Sequence, residues 1–462
     1  MDDWTTNSWI GIGSIWLAVI AGIVFLLSGC NGGVISDPEP EALVSHLAKE
    51  TPSVGSITPL PQDVRDRVDV YVDRSLSMQS FTRAERSSYF NVLSELDGLL
   101  AGSIQFYGFG FPSEQQGQVT EPINAVLLEE ASSYTYLNND YGALFGSLEP
   151  GSGHTHLVVS DGVQSDVDGP RFGEVVASIG DWIEQSGVFS LMVYRAPYRG
   201  TYYHEVPTTG RVQYNCDDRP FYIFGFFPSV QAKNEILEIL KGGDVAPEHV
   251  ITIGEASASV VAQENGLPPL GERRGPRVLA SFTNHSVSSP NINHVYSGRP
   301  TKGDKGTPLH FEVRFDSTAP WTSLSDNDMR QVAESLEPSF RHWRIDTLEV
   351  NPENVVLAPT TAPNVFDVDT QLDRDQSRTA HLITSMAHAP GGARDRERIA
   401  SVLTVGLSPN GANRLIPGSL STRRDDRPSA CNRTLNIQRT IGAVLREHYI
   451  VGRALLVTQW QK

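Results

Sequence analysis

Hydrophobic and polar positions along residues 66–243 predict strands and helices in turn. The run VDVYVD has apolar side chains at every second position, as a strand has, and the next segment places apolar residues on one helical face. That face consists of Tyr89, Val92, Leu93, Leu96, Leu99 and Leu100. Later strand-like segments are SIQFYGFGF, THLVVSDG, VFSLMVYRA and FYIFGFF, and further helical segments accompany them. This alternation predicts an α/β domain with a mostly parallel, Rossmann-like sheet and helices on both faces.

Residues 246–462 have a different pattern, which predicts a β-rich domain. Segments such as HVITIG, LHFEVRFDS, WRIDTLEV and SVLTVGLS are strand-like, and clusters of Pro, Gly, Asn and Asp separate them. Many short strands with such turns are typical of a sandwich. Two helices are also expected, one near 325–336 with a Ser N-cap and one near 436–449 with a single apolar face.

The N-terminal 65 residues are unlike either domain. Residues 9–29 carry no charge, and the run is long enough to cross a bilayer as a helix. It ends in LSGC, which resembles the lipobox of bacterial lipoproteins, with Cys30 as the residue that would carry the lipid. Residues 1–30 are therefore expected to be a lipoprotein signal peptide, or else an uncleaved anchor helix. Residues 31–65 are rich in Pro, Ser and Glu and are expected to form a flexible tether.

Cysteine content and net charge narrow the possible environments and partners. If Cys30 carries a lipid, Cys216 and Cys431 remain as a pair that could form a disulfide or stay two separate buried thiols. The chain has 37 Lys and Arg residues against 54 Asp and Glu, a formal charge of −17. Such a charge repels phosphate backbones, so no nucleic-acid partner is expected.

Oxygen-bearing side chains follow the ends of two predicted strands. Asp73, Ser75 and Ser77 lie in DRSLSM, directly after VDVYV, and Asp161 follows the buried run LVV. Ligands of an open α/β sheet bind where the carboxyl ends of its strands meet. Two carboxylates with two hydroxyls suit a hard cation such as Mg²⁺.

These two segments resemble the signatures of the von Willebrand factor type A (vWA) family. DRSLSM matches the DxSxS motif of the metal-ion-dependent adhesion site, and Leu157 to Gly162 match a strand ending in DG. The resemblance covers residues 66–243. It implies that Ser75 and Ser77 bind the metal directly and that Asp73 and Asp161 lie close by, at least one of them through water.

The middle loop of the family contributes a Thr ahead of a helix, and here the chain departs from the pattern. NNDYGALF places Asn139 at the Thr position, with Asp140 as the neighbour that could substitute. The resemblance implies that Mg²⁺ or Mn²⁺ bridges this domain to a carboxylate of a protein partner.

The expected function is therefore that of a membrane-tethered lipoprotein on the periplasmic or extracytoplasmic side, which binds a protein and is not an enzyme. One alternative is a structural envelope scaffold with an inactive metal site, and another is a metal-dependent hydrolase. The common hydrolase and nucleotide-binding motifs HExxH, GxxxxGK and GxSxG are absent from the sequence.

Two further groups of residues have competing interpretations. His154 and His156 share one strand face and could bind zinc, but surface residues at a strand edge are the expected case. The segment after VFSLMVYRA reads as an inserted loop containing Tyr198, Tyr202, Tyr203 and Tyr214. These tyrosines could contact a partner protein or pack onto the C-terminal domain.

Overall fold

The computed structural model of the protein describes residues 67–459, with gaps. The gaps are residues 84–86, 101, 114–115, 164–169, 186, 205–209, 244, 255–257, 263–282, 287–293, 299–306, 316–323, 346–356, 361–363, 370–377 and 387–397. The apolar run, Cys30 and the expected tether lie outside the described residues. Among the helices that are described, none is long and apolar enough to span a membrane.

A seven-stranded sheet forms the first part of the fold. Its strands are β1 (Val68–Asp73), β2 (Ile104–Gly110), β3 (Val119–Pro122), β4 (Thr155–Ser160), β5 (Val188–His204), β6 (Gly210–Phe227) and β7 (His249–Ile253). They lie in the order β3-β2-β1-β4-β6-β5-β7. The last strand, β7, comes from HVITIG, which the sequence pattern had placed in the second domain.

The sheet is mixed in direction. Strand β1 pairs in parallel with β2 and β4, whereas the other four pairings are antiparallel. The difference from a mostly parallel sheet arises at β6, which follows β5 as a hairpin and inserts between β4 and β5. The expected inserted loop is thus largely the paired outer part of these two long strands.

Helices cover both faces of this sheet, so the predicted α/β class is confirmed. They are α1 (Ser88–Leu99), α2 (Tyr141–Ser147), α3 (Pro170–Glu184) and α4 (Val230–Gly242). Side chains of β4 alternate between the two cores: Leu157 and Val159 pack with α1 and α4, and Val158 packs with α2 and α3. This alternation follows from the period of two along a strand.

The remaining strands form two larger sheets and one short pair. The six-stranded sheet has the order β13-β12-β16-β19-β10-β9, the four-stranded sheet β14-β15-β11-β8, and β17 pairs with β18. Their bounds are β8 (Ala258–Ala262), β9 (Thr283–Ser286), β10 (His294–Gly298), β11 (Thr307–Phe315), β12 (Leu336–Ile345), β13 (Leu357–Thr360), β14 (Asn364–Asp369), β15 (Thr379–Met386), β16 (Arg398–Leu407), β17 (Ser421–Thr422), β18 (Thr434–Leu435) and β19 (Ile450–Gln459).

Three helices accompany these strands: α5 (Asp326–Glu334), α6 (Pro409–Arg414) and α7 (Ile437–His448). Both helices expected in this half are present, and the Ser325 hydroxyl caps α5 by accepting a hydrogen bond from the Asp328 N–H. Buried side chains of α7 belong to the same apolar core as those of α3. The two halves of the chain therefore share one continuous core.

Candidate functional site

The two carboxylates expected to converge lie at the carboxyl ends of neighbouring parallel strands. Asp73 ends β1 and Asp161 directly follows β4, where Val72 is paired with Val159. Both side chains are fully buried. Burial and, to a smaller extent, the nearby Asp161 charge together raise the pKa of Asp73 to about 6. Burial also raises the pKa of Asp161.

Both oxygens of Asp73 already accept hydrogen bonds from the surrounding protein. Oδ1 accepts from the Ser75 N–H at 2.8 Å. Oδ2 accepts from the Ser160 hydroxyl and from the Asn139 side-chain amide, each at 2.7 Å. Asp73 therefore orients the loop and the amide around it. Ser160 was not identified from the sequence, although it precedes Asp161 on a strand that ends at the crevice.

The two serines of DxSxS are brought together. Their hydroxyl oxygens are 3.0 Å apart, with Ser75 buried and Ser77 half-buried. Ser77 occupies the N-cap of a short 3₁₀ helix, Met78–Phe81, but its side chain makes no capping hydrogen bond. The two hydroxyls therefore face each other instead of capping the helix.

Asn139 and Asp140 have different roles in the structure. Asn139 is buried, donates to Asp73, and leaves its Oδ1 without a hydrogen-bond partner among the described residues. Asp140 is the N-cap of α2, where its Oδ1 accepts from the Ala143 N–H at 3.1 Å. This capping bond uses one of the two carboxylate oxygens of Asp140.

One carboxylate oxygen of Asp161 accepts a backbone hydrogen bond, and the other faces the guanidinium of Arg219. The Val163 N–H donates to Oδ1 at 3.1 Å. Oδ2 has no hydrogen-bond partner in the described part of the chain and lies 3.8 Å from Nη2 of Arg219. The Arg219 and Asp161 side chains are 1% and 0% exposed, so this ion pair is excluded from water.

Three tyrosines of the β5–β6 hairpin enclose Arg219. Its guanidinium carbon lies 4.4 Å from the ring centre of Tyr202, 4.9 Å from Tyr198 and 5.1 Å from Tyr214. Each distance is within the range of a cation–π contact. The Tyr198 hydroxyl also donates to the Ser77 carbonyl at 2.8 Å, which joins this tyrosine cage to the DxSxS loop.

The C-terminal half completes the enclosure of Arg219. Its Nη1 donates to the Cys431 carbonyl at 3.0 Å, and a disulfide joins Cys431 to Cys216 of β6. The Tyr202 hydroxyl donates to Asp425 at 3.1 Å.

Tyr202 and Tyr214 contact Asp425 of the C-terminal half, as one interpretation expected, and Tyr198 is buried beside Arg219, so these three tyrosines are packed inside the protein. The exception is Tyr203, which is 41% exposed. Arg219 itself was missed in the sequence, where the density of tyrosines beside Cys216 was the available signal.

His154 and His156 lie at the opposite end of the sheet from this crevice, because His154 directly precedes β4 and His156 is its second residue. His156 is buried, so the expectation of a surface position is wrong for it; its Nδ1 is 3.6 Å from Asp69 Oδ2. Burial lowers the pKa of His156 to about 4. Within the described ranges, no three His, Cys, Asp or Glu side chains are grouped so that they could hold a metal ion.

Comparison with family models, curated proteins and solved structures found no match to this chain. The vWA resemblance consequently depends on the DxSxS and DG segments themselves.

Proposed function

We propose that the crevice binds a divalent cation, Mg²⁺ or Mn²⁺, and through it a carboxylate of a protein partner. The observation that carries this proposal is a pair of buried acceptor oxygens, Asn139 Oδ1 and Asp161 Oδ2, that lack hydrogen-bond partners in the described structure. They belong to the same site as the facing hydroxyls of Ser75 and Ser77. Buried acceptors without donors are costly, and a hard cation would satisfy them.

The residues divide into ligands and supports. Ser75, Ser77, Asn139 and Asp161 would hold the ion. Asp73 would keep the loop and the Asn139 amide in position, because both of its oxygens are already bound. When bound, the cation supplies a positive centre for the incoming carboxylate.

The charge balance supports an acidic ligand. Arg219 offsets the charge of Asp161 from inside the protein, at 3.8 Å. A divalent ion added to Asp73, Asp161 and Arg219 leaves a net positive site, which attracts a carboxylate.

The setting that we propose is a lipoprotein or anchored protein on the periplasmic or extracytoplasmic side of a membrane. The Cys216–Cys431 disulfide supports this setting, because disulfides persist in oxidising compartments. The β-rich half would provide a second contact surface for the partner.

A second candidate, a scaffold with an inactive metal site, is favoured by the same Arg219–Asp161 pair. A permanently charged guanidinium next to Asp161 can stabilise that carboxylate without any metal. The two candidates differ in whether partner binding depends on divalent ions.

Isothermal titration of the full chain in detergent with Mg²⁺ and Mn²⁺ tests the first proposal. Wild type should bind, and Ser75→Ala and Asp73→Asn should lose binding while they keep their thermal transitions. Ser132→Ala is the matched control, because it removes an exposed hydroxyl outside the crevice. A partner captured equally well with Mg²⁺ and with EDTA would instead identify the scaffold.

A further inference from the structure

A second concave site lies on the other half of the protein, between α6, α7 and strand β17 with the adjoining Arg423. It is a cavity of about 790 Å³, which is within the range of small-molecule sites. Three arginines line it, Arg423, Arg439 and Arg446, together with amide and hydroxyl side chains. Its described lining contains no Asp or Glu, although acids outnumber bases in the whole chain by 54 to 37.

Two of these arginines have no internal partner among the described residues. In the described structure neither Arg423 nor Arg446 makes an ion pair or a hydrogen bond, and both are exposed. The adjacent Arg424, by contrast, binds Asp426 through two nitrogens at 3.2 and 2.7 Å. Arg423 and Arg446 are therefore available to bind a ligand, whereas the neighbouring Arg424 is already neutralised by Asp426.

The third arginine is held in place beside them. The guanidinium carbon of Arg439 lies 5.2 Å from the ring centre of Phe172, in a cation–π contact. Arg439 and Arg446 are separated by two helical turns and therefore lie on one face of α7.

Small buried residues, Gly442 and Ala443, occupy the floor between the arginines. A Cβ at Gly442 would lie 2.5 Å from Oδ1 of Asn413, so the floor has no room for a larger side chain.

We propose that this cavity binds a small molecule carrying two or more oxyanion charges, on phosphate or carboxylate groups. Guanidinium groups bind both through paired hydrogen bonds, and several in one cavity select for more than one charge. A small ligand is favoured over a long polyanion by the formal charge of −17. Screening confines the local arginine field to about 8 Å, so a nucleic acid would also meet the surrounding acidic surface.

Calorimetric titration of the full chain with pyrophosphate and with citrate tests this proposal. The buffer should be freed of divalent ions on a chelating resin, because soluble chelators are themselves polyanions. At least one of the two anions should bind, and Arg423→Gln and Arg446→Gln should each weaken that binding tenfold or more. Binding of pyrophosphate alone identifies a phosphoryl ligand, and binding of citrate alone identifies a carboxylate ligand.

Two controls separate this site from general charge and from the metal crevice. Arg330→Gln removes an exposed arginine of α5 that is not among the cavity residues, and should leave binding unchanged. Ser75→Ala should also bind as wild type does, so failure at one site is independent of the other. Absence of binding to both anions, or equal weakening by Arg330→Gln, would overturn the proposal.

Discussion

Replacing Arg219 with Met is expected to destabilise the protein by about 3–5 kcal/mol, which is the usual cost of removing one partner from a buried ion pair. Asp161, which is 0% exposed, would lose the counter-ion that lowers its pKa, and the Cys431 carbonyl would lose its donor at 3.0 Å. Met is chosen because its unbranched side chain still fills most of the space between the tyrosine rings. Urea denaturation followed by tryptophan fluorescence and circular dichroism measures the change in the free energy of unfolding.

A double-mutant cycle separates the ion pair from the packing. Asp161→Asn alone should also be destabilising, since it leaves the buried Arg219 guanidinium unpaired. The loss in unfolding free energy of the double variant should be smaller than the sum of the two single losses by about 1–3 kcal/mol. A loss below 1 kcal/mol for Arg219→Met, or strictly additive losses, would refute the claim that this pair stabilises the crevice. Added Mg²⁺ should partly restore Arg219→Met, because the ion would then neutralise Asp161.

Three further predictions concern other parts of the fold. The pKa of His156 lies at about 4, below the usual 6.5, so stability is fully present above pH 6.5 and is lost as the pH falls through 4. That loss amounts to about 3 kcal/mol, so the difference in unfolding free energy between wild type and His156→Phe should fall by about this amount from pH 6.5 to pH 4. Cys216→Ser should cost about 2–5 kcal/mol in urea denaturation and should abolish the effect of reductant seen for wild type, because the disulfide with Cys431 closes a separation of 215 residues. Gly162→Ala should lower the thermal midpoint, at a cost of about 1–3 kcal/mol, since Gly162 has φ +71° and a Cβ there would lie 2.8 Å from the Tyr222 ring; an unchanged midpoint would contradict this.

The part of the crevice that could be predicted is the part that depends on local pattern. Asp73 and Asp161 follow apolar runs, and neighbouring parallel strands necessarily bring such ends together. The hydroxyls of Ser75 and Ser77 lie on the loop that directly follows Asp73. Asn139 could be placed in the crevice only through the family resemblance, and in the structure its side-chain amide donates to Asp73.

Arg219 could not be predicted because its position depends on pairing between distant segments. Nothing in the local sequence indicates that β6 inserts between β4 and β5, since strand order is set by tertiary packing. The same reason explains why HVITIG was assigned to the second domain, although it completes the first sheet as β7. A strand-like pattern identifies the strand but does not identify its neighbours.

The closure of the crevice by the C-terminal half also determines when this site can form during synthesis. The Arg219 contact with Cys431 spans 212 residues, and the Thr434 hydroxyl that donates to the Asp161 carbonyl is 273 residues away from it. Ribosomes add residues from the N-terminus onwards, so the first sheet emerges long before the segment that covers it. Contacts of such high sequence separation form slowly, and the uncovered tyrosine cage is meanwhile an exposed surface to which a chaperone could bind. The site is therefore expected to mature late, only after the segment that contains Cys431 and Thr434 has been synthesised.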